Sequence, residues 1–161
     1  MGYGVYGTDL EPRMIEYTKE NLNWLTKRLQ VTGYGLRLEM GDATSHIWTH
    51  KFDSLASEVW LGRPFTAPPP PAILRQNIND VNTILKKFLS NLHSQVPVGF
   101  RMCLAVPAWQ VANQTHRLPL LERLTDVGYN RIALRHVSFD QLIYARPGQI
   151  VGRELVILER N

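Results

Sequence analysis

The chain has 161 residues, enough for one domain of ordinary size and too few for two full ones. Hydrophobic residues make up 44% and charged residues 20%, a balance that excludes a disordered chain. Eighteen Lys and Arg against fourteen Asp and Glu leave a formal charge of +4. That sign is compatible with a phosphate-bearing partner, although the basic residues are scattered and never run beyond two.

In chain order, Gly2 to Asp9 predicts a short strand rich in β-formers that ends on an acid. Pro12 stands where a first helical residue belongs, and Met14, Ile15, Thr18, Leu22, Leu25 and Leu29 recur at threes and fours, predicting an amphipathic helix over 12–30 stopped by Gly33 and Gly35. Leu36 to Met40 alternates as a second strand and leads into Gly41-Asp42-Ala43; Phe52 to Trp60 is a third strand with its exit. Five of the ten prolines fall in Gly62 to Pro71, which must be a loop. Ile73 to Leu92 predicts a helix with Ile73, Ile78, Val81, Ile84, Leu85, Phe88, Leu89 and Leu92 on its apolar face. A buried strand over Gly99 to Val106 follows, then a helix over Leu118 to Val127 closed by Gly128. The tail reads as β over Ile132 to Phe139, Gln141 to Tyr144 and Gln149 to Leu158, turning at Arg146-Pro147-Gly148. The alternation predicts a single α/β domain over 1–161, mostly parallel, with an antiparallel C-terminal hairpin at its late edge.

Cys103 stands alone, so no internal disulfide is expected, and no apolar run approaches a membrane span. Met1 to Glu11 lacks the basic and apolar pattern of a secretory signal; the expected location is the cytoplasm. His46 and His50, spaced by four, have no third ligand nearby, and no metal is expected. In open α/β sheets ligands lie across the carboxyl ends of the strands, which directs attention to Asp9, Asp42 and Ser57 to Trp60. A carboxylate at Asp9 suits the vicinal hydroxyls of a ribose, and one at Asp42 can accept from an adenine amine while the Ala43 N–H faces the ring. Both acids could equally be helix N-caps.

Tyr3 to Asn23, Gly41 to Thr44 and the ending Tyr144 to Leu158 together resemble class I S-adenosylmethionine-dependent methyltransferases. The subgroup they look most like is the tRNA guanosine N2-methyltransferases, whose catalytic domain often follows an RNA-binding THUMP domain, with the related DNA methylases. The resemblance implies a Rossmann-like sheet and S-adenosyl-L-methionine as cofactor. It implies that Asp9 binds the cofactor ribose, that Leu10 packs on the adenine and that Asp42 and Ala43 read the adenine edge. It also implies methyl transfer to an exocyclic amine of a nucleic-acid base, with guanosine in tRNA as the substrate.

Two departures from the family pattern stand out. The Gly-rich cofactor loop and the strand before it have no counterpart, since Met1 directly precedes the family's second strand. A truncated gene product or a piece of a longer chain is therefore expected. The family's Asp- or Asn-Pro-Pro-Tyr motif is replaced by Ser57-Glu58-Val59-Trp60, in which Glu58 would accept from the target amine and Trp60 would stack on the base. Two other classes stay open: a degenerate, non-catalytic domain serving as an interaction subunit, and another nucleotide-binding α/β protein such as a dehydrogenase.

Overall fold

A computed structural model describes residues 4–30 and 35–161; the expectations that fell on Gly2, Tyr3 and Gly33 lie outside these described residues. The chain divides into two units, residues 1–52 and 53–161.

In the first unit, strand β1 (Val5–Asp9) pairs in parallel with β2 (Leu36–Met40), in a register that sets Val5 opposite Leu36 and Asp9 opposite Met40. Helix α1 (Pro12–Leu29) joins them, with Pro12 at its first position and Glu11 as N-cap. The helix ends on Gln30, held left-handed at φ 52°, rather than at a glycine. The helix neighbours both strands, yet none of its residues is buried, the stripe members Met14, Leu25 and Leu29 are exposed, and Tyr17, Trp24 and Leu29 are more than half exposed.

The second unit holds a six-stranded sheet. Its spine is β4 (Arg101–Val111), which pairs in parallel with β3 (Ser54–Glu58) on one side and antiparallel with β8 (Val151–Arg160) on the other. On β8 also lie β6 (Tyr129–Arg131) and the two-residue β7 (Ile143–Tyr144). The C-terminal strand was expected at the edge of the sheet; it is interior, between β4 and β6. Alternating burial along β8, with Gly152, Glu154, Val156 and Leu158 buried, fits that placement.

Strand β4 runs five residues past its predicted end and turns at Ala112 and Asn113 into β5 (Gln114–His116). Both turn residues have positive φ, 52° and 59°, the conformation that two-residue hairpin loops require. Helix α2 (Pro71–His93) begins on Pro71 and buries Leu74, Asn77, Val81, Leu85, Phe88, Leu89 and Leu92. The predicted apolar face was therefore turned slightly: Ile73 and Ile84 are exposed, and Leu74 with the polar Asn77 replaces them inside.

The helix expected over 118–127 is instead two 3-10 turns, Pro119–Glu122 and Leu124–Val127, separated by Arg123 at φ −133°. Their N–H groups reach back three residues, as in Arg123 to Leu120 at 2.9 Å and Gly128 to Thr125 at 3.2 Å. Asn82 of α2 takes the Leu120 N–H at 2.8 Å, and Leu118, Leu120, Leu121, Leu124 and Val127 are all buried, so tertiary packing overrides helical spacing here. The strand expected over 132–139 reduces to one bridge between Leu134 and Val137; a 3-10 turn over Phe139–Leu142 follows, with Ser138 and Gln141 forming a capping box. No helix among the described residues is long and apolar enough to cross a membrane.

One carboxylate lies entirely inside the second unit. Glu154 is 0% exposed and accepts from Arg131 at 2.7 Å and from the Arg117 Nε at 3.0 Å. Arg117 continues to Asp140, and the Arg131 guanidinium lies 3.6 Å from the centre of the Phe139 ring, so the network fastens the Phe139–Leu142 turn to β8. Removing a buried charge's partner strands the others. Glu154→Ala is expected to cost about 3–5 kcal/mol in denaturant unfolding, since the largely buried Arg131 guanidinium loses its carboxylate and Arg117 keeps only Asp140.

Tyr129, also fully buried, donates to the Leu89 carbonyl at 3.2 Å, and burial pushes its phenol up to about 12. The folded chain thus holds this proton more tightly than the unfolded chain, whose phenol titrates at 10.0. The resulting stability is complete below pH 10 and disappears between 10 and 12. Tyr129→Phe is expected to flatten the fall of the urea midpoint across that window; an equally steep fall in the variant would exclude Tyr129 as its source.

Candidate functional site

The six residues singled out from the sequence fall into two groups, one in each unit. In the first, the parallel register brings Asp9 and Asp42 out at the same end of β1 and β2, and the Asp9 carbonyl accepts the Gly41 N–H at 2.9 Å. Asp9 is exposed, and its Oδ1 accepts the N–H of Glu11 at 2.8 Å. It braces the entry to α1 without being its N-cap, which is Glu11. Leu10, directly after it, is 65% exposed, an apolar surface offered outward beside a carboxylate.

Asp42 is exposed, and its Oδ1 receives both the N–H and the hydroxyl of Thr44, at 2.9 and 2.8 Å. Its carbonyl takes the N–H groups of Ser45 and His46, at 2.9 and 2.7 Å, which closes a tight turn around Ala43. Neither acid is the helix N-cap that the sequence left open: α1 is capped at Glu11, and Asp42 leads into a turn rather than a helix, each acid instead bracing local backbone with one oxygen.

Beneath this turn lies a cluster that the sequence reading did not assemble. Glu39 of β2 accepts from the Tyr6 hydroxyl at 2.6 Å, and His46 and His50 approach its two oxygens at 3.6 and 4.0 Å. Arg37 contacts His50 on its other side. Burial, then the bond to Glu39, hold the Tyr6 phenol above its ordinary value. A Cβ on Gly41 would fall 2.4 Å from the His46 ring, so glycine is required where the ring packs on the strand exit. The histidines thus support the Asp42 turn, and among the described residues no group of three or more His, Cys, Asp or Glu is arranged to hold a metal.

In the second unit, β3 ends on Glu58, opposite Ala105 of β4. The Glu58 carboxylate is half exposed and pairs with the Nε of Arg153, two strands away on β8, at 2.5 Å. The Val59 N–H continues the ladder to the Ala105 carbonyl at 3.1 Å, and Trp60 then leaves the sheet 45% exposed. Arg153 is the partner of Glu58 that sequence reasoning missed, since 95 positions separate the two and only the order β3-β4-β8 brings them together. Of the remaining candidates, Cys103 is half-buried in β4, Trp109 is fully buried and Trp24 lies exposed beneath Arg28.

No protein-family model matches the chain, and no curated protein matches it. Solved structures do, and they define the fold as that of the S-adenosylmethionine-dependent methyltransferases. A SAM-dependent methyltransferase from Methanosarcina mazei aligns with 99% of this chain and 82% of its own, at 14% identity and a TM-score of 0.60. TrmN from Thermus thermophilus aligns with 98% of this chain at 21% identity and a TM-score of 0.56; the match spans 36% of TrmN. The N-methyltransferase NodS from Bradyrhizobium japonicum, in complex with S-adenosyl-L-homocysteine, aligns with 98% of this chain and 66% of its own, at 9% identity and a TM-score of 0.52.

Asp42→Ala removes the acceptor of the Thr44 N–H. Hydrogen exchange at that amide is expected to accelerate by roughly 2–30-fold, the range a lost capping bond represents. Asp42→Asn, which retains Oδ1, is expected to leave it close to the parent rate.

Proposed function

We propose that this chain carries out methyl transfer from S-adenosyl-L-methionine to an exocyclic amine of a nucleic-acid base, with guanosine in tRNA as the substrate. The observation that carries the reading is the emergence of Asp9 and Asp42 from one end of two parallel strands in register, in a chain with the methyltransferase fold. Exposed carboxylates as acceptors, an exposed leucine and the backbone N–H of a tight turn are the set of contacts an adenosine needs. Asp9 accepts from the ribose hydroxyls, Leu10 covers a face of the adenine, Asp42 accepts from the adenine amine, and the Ala43 N–H meets the ring edge.

When bound, S-adenosyl-L-methionine supplies a methyl group made electrophilic by its sulfonium. The chain's part is then to orient the acceptor, because an in-line displacement depends on alignment more than on acid–base help. Glu58 accepts a hydrogen bond from the target amine while Arg153 holds its carboxylate in place, and Trp60 stacks on the base. The net charge of +4 favours a polyanionic substrate, and the resemblance to the guanosine N2-methyltransferases, with TrmN among the similar folds, favours tRNA.

The Glu58–Arg153 pair also favours a second reading. A carboxylate already engaged by a guanidinium is a weaker acceptor for an amine, and a domain of this fold with that pair in place of a catalytic motif would serve as a non-catalytic interaction subunit.

Calorimetry separates the two. S-adenosyl-L-homocysteine is expected to bind, and Asp9→Ala to weaken it about tenfold or more, as expected for the loss of charge-assisted bonds to a ribose. With labelled cofactor and bulk tRNA, Glu58→Ala is expected to lower the rate while leaving that affinity unchanged. Binding without methylation of tRNA or DNA by the parent chain would select the interaction subunit, and absence of binding would remove the cofactor assignment.

A further inference from the structure

We propose that Asn77 is a positioning residue that latches the exit of β3, and so sets where Glu58 and Trp60 present themselves; this rests on the acceptor role given to Glu58 and the stacking role given to Trp60 above. Asn77 lies on the inner face of α2 between Leu74 and Val81 and is 2% exposed, where the helical spacing calls for an apolar side chain. A buried carboxamide is costly unless it is used. Its use is visible: Oδ1 accepts the backbone N–H of Arg63 at 2.8 Å, fourteen residues earlier in the chain.

The neighbouring residue completes the latch. Gly62 has φ +87°, and a Cβ built on it would lie 2.5 to 2.9 Å from the Asn77 Nδ2, Oδ1 and Cγ atoms. The loop backbone therefore lies directly on the carboxamide, and both the conformation and the close approach demand glycine. Only Leu61 separates Trp60 from this contact, while the Val59 N–H is still tied to Ala105 on the sheet. Trp60 is thus held between two fixed points, a sheet bond one residue before it and the Asn77 latch two residues after it. The other end of the carboxamide does no such work, because Nδ2 is buried with no acceptor among the described residues.

That asymmetry makes the idea testable in the full chain with two near-isosteric substitutions. Asn77→Leu has the shape of the original and suits the apolar face, but cannot accept from Arg63. Asn77→Asp keeps Oδ1 and alters only the idle end, at the cost of burying an acid. Stability and function should then rank in opposite orders. Asn77→Leu is expected to unfold at a temperature equal to or above the parent's, yet to speed hydrogen exchange at the Arg63 amide by about threefold to tenfold, one hydrogen bond's worth. It should also lower kcat for tRNA methylation about tenfold or more, with the affinity for S-adenosyl-L-homocysteine unchanged. Asn77→Asp is expected to be less stable, with Arg63 exchange and kcat close to the parent values. Unchanged Arg63 exchange in Asn77→Leu overturns the latch, and faster exchange with unchanged kcat overturns the positioning role. If the parent chain itself fails to methylate, the functional reading above falls, while the exchange measurement still decides the latch.

Discussion

Strand β4 is paired along both edges, in parallel with β3 and antiparallel with β8, and the second unit is organised by that double commitment. A strand with neighbours on both sides lies inside the sheet, and along its first half alternate side chains turn to the covered face. Met102, Leu104, Val106, Ala108 and Trp109 are accordingly buried, and α2 and the two 3-10 turns supply much of the cover. The switch from parallel to antiparallel pairing also brings β8 alongside β4. Arg153 and Glu154 thereby become two adjacent residues with unrelated tasks, one holding the carboxylate at the end of β3 and the other closing a buried ion network.

The candidate residues of each unit follow from the same economy of strand ends. Asp9, Asp42 and Glu58 each stand at or just past the carboxyl end of a parallel strand, where the ladder stops and side chains are released to bind something else. Each is already braced: Asp9 by the Glu11 N–H, Asp42 by the N–H and hydroxyl of Thr44, Glu58 by Arg153. Bracing lowers the entropy that a side chain still has to lose when it engages a ligand, so these local turn bonds and a binding role are compatible. The cluster of Tyr6, Glu39, His46 and His50 adds a second layer under the Asp42 turn, which gives the spaced histidine pair a supporting role there.

Much of this architecture was legible because periodicity is a local property. The bounds of α1 and β2 and most of α2 follow from the spacing of apolar residues and from Pro12 at a helix start, although Pro71, read as loop, is the first residue of α2. Where packing outweighs spacing, the reading failed. Leu118 to Val127 has helical spacing, but its leucines are distributed between two tight turns, one of them anchored by Asn82. The β4–β5 hairpin was missed because Ala112, unlike glycine, gives no sign of the left-handed conformation it adopts. At the site, the positions of Asp9 and Asp42 could be read from strand ends, whereas the Glu58–Arg153 pair and the Asn77 latch depend on sheet order and helix rotation, which no short stretch of sequence encodes.

The lack of any buried residue in α1 has a consequence for cooperativity. The apolar surface that a two-stranded sheet and one helix can remove from water is small, and here the described residues of the first unit are at best half-buried. The second unit, with its sealed interior, holds the greater share of the hydrophobic free energy. The two therefore contribute unequally to the unfolding equilibrium, and the half of the chain bearing Asp9 and Asp42 is the one with less apolar burial to hold it. A ligand gripping those acids would act on that weaker half, so its binding energy would be spent partly on ordering and would register as a rise in local protection.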